Sequence, residues 1–284
     1  TADLLPRMIS SIPERDDIQV IVCDDGSDPE QVEKLKKITH KNLELVLLEH
    51  HGAGYARNQG IKRASGKWHI AGDSDDYFAP NAFDVLDRHK DRENLDCLFY
   101  RVMMEVNGEI LESNVMSRGM IEAFLKERNK ETETLVRLRN ANPINRMVRL
   151  SFMREHDVAF DNVSVNDDNL YTYHIGLKAK YIDAIPEILY IVKGHPNSIT
   201  RQKKDIEREF KFYLARQQQN GFYRKLGMMQ YWRNDILYVP YILMKHGPIG
   251  LFKFFRLYFT HLKEREEARN SYMYLFDKDV YYKP

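Results

Sequence analysis

The feature that most constrains this chain is an alternation repeated three times in its first 110 residues. A β-rich run, a short polar loop and a helical pattern follow one another, and the cycle restarts. Ile18 to Cys23 is a continuous β-rich run, typical of a parallel strand buried on both faces. It ends in Asp24-Asp25-Gly26-Ser27-Asp28-Pro29, where Asp28 suits an N-cap and Pro29 a first helical residue. The helix reaches about Thr39, with Val32, Leu35 and Ile38 inward. Asn42 to Leu48 is the next strand and Ala56 to Ala64 the next helix, stopped near Gly66. Trp68 to Ala71 reads as a third, buried strand, and Ala79 to about Lys90 as its helix. The pattern predicts an α/β domain with a mostly parallel sheet covered on both faces.

Further on, Asp96 to Val106 is a long strand that turns through Asn107-Gly108 into Glu109 to Leu111. Residues 113–150 are less regular, with a short helix at Met120 to Glu127 and a short strand at Asn145 to Leu150. Asp167 to Gly176 reads as a helix, then Lys180 to Ile185 and Leu189 to Lys193 as two strands. Past Ser198 the pattern is helical: Asp205 to Gln219, ending at Asn220-Gly221, then Leu226 to Tyr238, then Pro248 to Arg269. The expected division is a core domain over 1–200 and a helical region over 201–284.

The 43 Lys/Arg and 42 Asp/Glu give a net charge of +1, which makes no demand for nucleic acid. Their distribution is uneven, because residues from Arg201 onward hold 17 basic and 9 acidic side chains and 10 of the 17 Tyr. A basic, aromatic tail on an acidic body points to a charged surface partner, or to simple docking of the tail on the body. Within it, Ile236 to Met244 is too short to span a bilayer. The following Leu251 to Phe259 run interleaves aromatics with Lys253 and Arg256, as in an interfacial helix. Cys23 and Cys97 lack metal or redox spacing and suit free thiols in a reducing compartment.

Three loops carry candidate chemistry. Gly72-Asp73-Ser74-Asp75-Asp76 places three carboxylates at the exit of a strand, where open α/β sheets bind ligands. Such acids repel unless neutralised, and a hard divalent cation with phosphate oxygens meets that need. A helix-capping polar turn is the alternative. Asp24 and Asp25 sit at the same edge, where a carboxylate accepts hydrogen bonds from a base or a ribose hydroxyl. Gly26 permits a close approach or a left-handed turn. In Gly52-Ala53-Gly54-Tyr55-Ala56-Arg57, Arg57 and the loop amides suit phosphate, or Arg57 pairs with a nearby acid.

With these in view, the chain resembles the inverting family 2 glycosyltransferases of GT-A fold, of the bacterial capsule and exopolysaccharide type. The resemblance rests on Val22-Cys23-Asp24-Asp25-Gly26-Ser27-Asp28, Gly54-Tyr55-Ala56-Arg57-Asn58-Gln59-Gly60 and Asp73-Ser74-Asp75-Asp76, followed by Asn166-Asp167-Asp168-Asn169-Leu170 and Tyr190 to Ser198. It covers roughly residues 1–200. It implies a UDP-sugar donor, a saccharide or lipid-linked acceptor, and Mn²⁺ or Mg²⁺. Separately from the resemblance, no signal peptide is visible at the start and no run reaches about 18 apolar residues, so the expected location is cytoplasmic, or peripheral on the membrane's inner face. By the resemblance, Asp24 and Asp25 would contact uracil and ribose, Asp75 would ligate the metal, and Asp73 would reach the ribose or a metal-bound water. Asp76 would position the donor sugar, Arg57 would serve donor binding, and His195 and Ser198 would lie near the diphosphate. Asp168 would be the catalytic base, with Asp167 in place of the family's glutamate. From its residues alone, Asp168 reads first as a helix N-terminal acid. The family's opening strand is not in the sequence, and its loss would expose two sheet edges. A sugar-nucleotide binder without transfer activity and a sugar-phosphate nucleotidyltransferase are the competing expectations.

Overall fold

The structure is a computed structural model, and it describes residues 2–111, 116–194, 205–276 and 280–284. The described residues form two compact units, one of residues 2–111, 116–163 and 167–194, the other of 164–166, 205–276 and 280–284.

In the first unit, α1 (Leu5–Ser10) is followed by β1 (Val20–Asp25), α2 (Pro29–Leu35), β2 (Leu43–Leu48), α3 (Ala53–Arg63), β3 (Trp68–Ile70), β4 (Tyr77–Phe78) and α4 (Ala82–Asp87). Then come β5 (Cys97–Val106), β6 (Glu109–Leu111), α5 (Met116–Lys126), α6 (Lys130–Thr134), β7 (Arg146–Arg149), α7 (Leu150–Glu155), α8 (Asp168–Lys178) and β8 (Ile182–Lys193). The α/β architecture expected from the alternation is present.

The strands pair in two groups. β1 and β2 form a parallel pair, while the larger sheet runs β3-β7-β5-β8-β4 with β6 on the end of β5. β5 and β8 are parallel and the other pairs of the larger sheet antiparallel, so the sheet is mixed. Among the described residues, β1 pairs only with β2 and β3 only with β7. Trp68 to Ile70 is therefore a half-buried edge strand rather than a buried central one. Side-chain packing joins the two groups: Val20, Val22 and Leu45 share a core with Trp68 and Ile70.

β5 is the central strand of the larger sheet and shows the expected alternation. Leu98, Tyr100 and Val102 enter one core with Leu5, Met8, Val85 and Leu189. Cys97 and Phe99 enter the other with Val136, Tyr171 and Ile175. β8 is a single strand where the sequence suggests two. It passes through Pro186 by shifting register against β5, from Phe99↔Ala184 to Arg101↔Ile188. A bulge accommodates the missing amide donor there. α8 is buried on all sides from Asn169 to Leu177, so no single stripe describes it.

The second unit consists of α9 (Ile206–Lys225), α10 (Tyr238–Thr260) and α11 (Leu262–Asn270), with short 3-10 turns between. α9 does not stop at Asn220-Gly221. A Cβ at Gly221 would lie 1.9 Å from the Arg269 carbonyl oxygen, so this glycine serves a close approach of α11 instead. The helix ends before Gly227, at φ 72°. α10 breaks at Gly247 (φ 67°, ψ −175°), and Pro248 opens its second half. No helix among the described residues is long and apolar enough to cross a membrane.

Candidate active site

The site is organised by α3 and the loops it holds. Gly52, with φ 102°, is the N-cap of α3. Asp25 leaves β1 and accepts hydrogen bonds from the amides of His51 (2.8 Å) and Gly52 (2.9 Å), while His50 Nδ1 lies 2.9 Å from its carboxylate. A carboxylate belongs at this positive helix end. Asp24 is buried and accepts from the amide of Ser27 at 3.0 Å, closing the turn. Gly26 supplies both properties expected of it, a φ of 77° and a Cβ position only 2.7 Å from the His50 amide nitrogen.

The next turns of α3 explain the glycine-spaced motif. A Cβ on Gly54 would stand 2.0 Å from the Asp161 carbonyl oxygen, so the helix start is pressed against the segment leading to α8. Asn58 pins the same segment in both directions, donating to the Phe160 carbonyl (2.9 Å) and accepting from its amide (2.8 Å). Between them Arg57 donates to Asp167 Oδ2 (2.7 Å) and Asp73 Oδ1 (2.8 Å), with its guanidinium 5.2 Å from the Phe160 ring centroid. One side chain thus ties the acidic loop after β3 to the entry of α8. Arg57 makes the ion pairs with nearby acids that its sequence context allowed.

The acids after β3 have three different fates. Asp73 is held by Arg57, and its amide donates to the Tyr190 hydroxyl at 2.8 Å. Asp76 is buried and accepts from the Lys193 amide at 2.8 Å, with Tyr190 hydrogen-bonded to its carboxyl. Burial and the neighbouring Asp73 and Asp75 push the Asp76 carboxyl up to about 7, against those hydrogen bonds. Asp75 is half-buried and has no hydrogen bond or ion pair among the described residues.

Asp168 is the first residue of α8. Burial, followed by repulsion from Asp167, raises its carboxyl to about 6, while Arg57 and Arg146 pull the other way. Arg146 is fully buried, 5.0 Å from the Phe99 ring centroid and 5.9 Å from that of Tyr171. Asp167 is also raised, by burial first, with Arg57 opposing. A carboxylate poised near neutrality suits proton abstraction.

Asp73, Asp167 and Arg57 are therefore brought together, with Asp168 beside Asp167, while Asp25 is joined to the start of the same helix and Asp24 closes its own turn onto Ser27. His195 and Ser198 lie outside the described residues. Tyr190, whose hydroxyl links Asp73 to Asp76, is a site residue that its sequence context does not mark, although it opens the Tyr190 to Ser198 motif. Arg146 was likewise missed; nothing local marks an arginine in an apolar strand as a buried charge.

Among the described residues no group of three or more His, Cys, Asp or Glu side chains is placed to hold a metal. A cage of protein ligands alone does not fit this loop. The uncommitted Asp75 does fit an ion held by one carboxylate with diphosphate oxygens completing its shell.

The glycosyl transferase family 2 model matches residues 1–157. The minor teichoic acid biosynthesis protein GgaA of Bacillus subtilis is 24% identical over 276 residues, which are 91% of this chain and 58% of GgaA. The poly(ribitol-phosphate) beta-N-acetylglucosaminyltransferase TarS of Staphylococcus aureus is 26% identical over 196 residues, 66% of this chain and 32% of TarS. The chain thus spans only part of the length of either relative. The crystal structure of S. aureus TarS 1-349 aligns over 98% of this chain and 72% of that one, with a TM-score of 0.57 and 19% identity, a likeness of fold. The same TarS segment in complex with UDP-GlcNAc also gives 0.57. The chain belongs to glycosyl transferase family 2, has a GT-A-like fold, and is related to bacterial teichoic-acid glycosyltransferases.

Proposed function

We propose that the chain transfers a sugar from a UDP-sugar to a saccharide or lipid-linked saccharide acceptor, with inversion, in the synthesis of a bacterial surface polysaccharide. The observation that carries this reading is that Arg57, through Asp73 and Asp167, ties together the two segments that bear an unengaged carboxylate at Asp75 and a raised carboxyl at Asp168. The UDP and UDP-GlcNAc complexes of TarS support the donor class.

In this reading the catalytic part is residues 1–200 and the helical region 201–284. Asp24 and Asp25 bind the uridine, and His195 and Ser198 lie by the diphosphate. Asp76 supports the donor sugar, and Arg57 and Asp73 act together on the donor's side of the cluster. Asp75 holds Mn²⁺ or Mg²⁺, which neutralises the leaving diphosphate when bound. Asp168 takes the proton of the acceptor hydroxyl as that oxygen bonds to the anomeric carbon. The bond from that carbon to the diphosphate breaks, and UDP leaves. One base suffices, because direct displacement from an activated donor needs no carboxylic acid at the leaving group. A peripheral membrane contact through the C-terminal helices completes the reading.

Calorimetry of UDP with Mn²⁺, and again with EDTA, tests the donor and the metal together. Binding should need the ion, and Asp75→Asn should lose the ion-dependent part while keeping its thermal transition. Equal affinity with and without the ion refutes the metal assignment, and donor binding without turnover on any acceptor favours a non-transferring binder.

A further inference from the structure

The second half of α10, which Pro248 opens, has one covered face and one uncovered face. Leu251, Phe254, Leu257 and Tyr258 pack with Phe210 and Tyr213 of α9. Ile249, Phe252, Lys253, Arg256 and Phe259 recur at spacings of three and four and so share another face. A solvated face should be polar, yet Ile249 and Phe252 are each 74% exposed and Phe259 64%. Met244, near the end of the first half, is 82% exposed.

The charge on this face has one sign. No Asp or Glu occurs between Asp235 and Glu264. Lys253 and Arg256 have no side-chain hydrogen bond or ion pair among the described residues. A second copy docked face to face by a two-fold would bring these cations together with no acid on the face to answer them. An anionic bilayer answers both properties: large apolar side chains enter the acyl boundary while the cations meet headgroup phosphates.

We propose that this face of α10 docks on an anionic phospholipid surface, with the helix lying in the plane of the interface. This gives the peripheral contact named above its face and its lipid chemistry, and it does not depend on sugar transfer. The Gly247 break separates the two apolar stretches, so neither half needs to enter the bilayer core.

Flotation of the full chain with phosphatidylcholine vesicles, with and without phosphatidylglycerol, tests the proposal at low and high salt. The chain should float with the anionic vesicles at low salt. Lys253→Glu with Arg256→Glu should weaken binding by roughly tenfold or more. Ile249→Asp with Phe252→Asp should abolish flotation, with unchanged helicity and Tm because both positions are exposed. If that pair unfolds the chain, Phe252→Ser alone should still weaken flotation. Three results overturn the proposal: a chain that stays behind on anionic vesicles at low salt, equal flotation with phosphatidylcholine alone, or unaltered flotation of a folded Ile249→Asp/Phe252→Asp variant. A dimer in light scattering that this variant disperses assigns the face to a second copy and also overturns it. UDP titration of the same samples reports separately on the first unit, so failure of donor binding with flotation intact counts against sugar transfer alone.

Discussion

Replacing Arg57 separates the ion pairs it makes from the donor contact proposed for it. Arg57→Met keeps much of the apolar stem and removes the guanidinium. Two charge-assisted hydrogen bonds are lost, at 2.7 Å to Asp167 and 2.8 Å to Asp73. Each is worth about 1.5–3 kcal/mol where both partners are dry. The side chains of Arg57 and Asp167 are 25% and 19% exposed, but that of Asp73 is 38% exposed, so solvent screening discounts the second bond. The expected loss of stability is therefore about 2–4 kcal/mol, read as a lower urea midpoint at unchanged m-value. Arg57→Lys should recover only part of it, since an ammonium lacks the fork that reaches both acids. Pairing Arg57→Met with Asp167→Asn should give a coupling energy of about 1–2 kcal/mol. The loss should also raise the Asp168 carboxyl further, because Arg57 now lowers it. If Arg57→Met lies within about 0.5 kcal/mol of the parent, well inside the range for ordinary surface changes, the clamp has no energetic weight. A fall in UDP affinity with no stability change would instead make Arg57 a phosphate ligand.

Asp168→Asn should lower kcat by roughly 10²–10⁴ with UDP affinity nearly unchanged, and the parent rate should rise with pH through about 6; near-parent turnover rules out the assignment. Asp76 binds its proton more tightly folded, at about 7, than a free aspartate does, at 3.8, so its contribution favours the folded state below about 4 and declines as pH rises through 7. Asp76→Asn keeps an acceptor for the Lys193 amide and should gain in Tm over the parent as pH rises across that window; a pH-independent difference contradicts the sign. Gly54→Ala should cost roughly 1–3 kcal/mol by forcing a Cβ against the Asp161 carbonyl, whereas Gly119→Ala in α5, with open space around it, should be neutral or stabilising. Equal thermal transitions for the two would show that the α3 contact is soft.

The alternation of the first 110 residues was legible because each strand there is short, apolar and punctuated by Gly, Asp or Pro. β8 was not read as one strand, because Pro186 signals a stop locally while a bulge against β5 carries the strand past it. Gly221 misled in the same way: its reason is the Arg269 backbone, 48 positions away in sequence, and no local pattern carries that information. At the site, Asp73 and Arg57 were found as candidates and a pairing of Arg57 with a nearby acid was one reading, but that it takes Asp73 and the distant Asp167 together was not legible. A carboxylate reads alike in sequence whether it is free, as Asp75 is, or buried against a strand, as Asp76 is. Tyr190 shows the same limit, since its register opposite Phe78 is what brings its hydroxyl to the acidic loop.

The pairing of β1 with β2 alone among the described residues has a consequence for protection against hydrogen exchange. Side-chain packing and α3, rather than shared backbone ladders, connect this ribbon to the larger sheet. A unit attached in that way can open without unzipping β5 and β8, and its amides should exchange through a lower-energy partial opening. Asp24 and Asp25 are the last residues of β1, so the loop that caps α3 moves with the ribbon. Any ligand seated on those two carboxylates should slow exchange from Val20 to Leu48 far more than in β5, and the width of that difference would measure how independently this edge of the protein breathes.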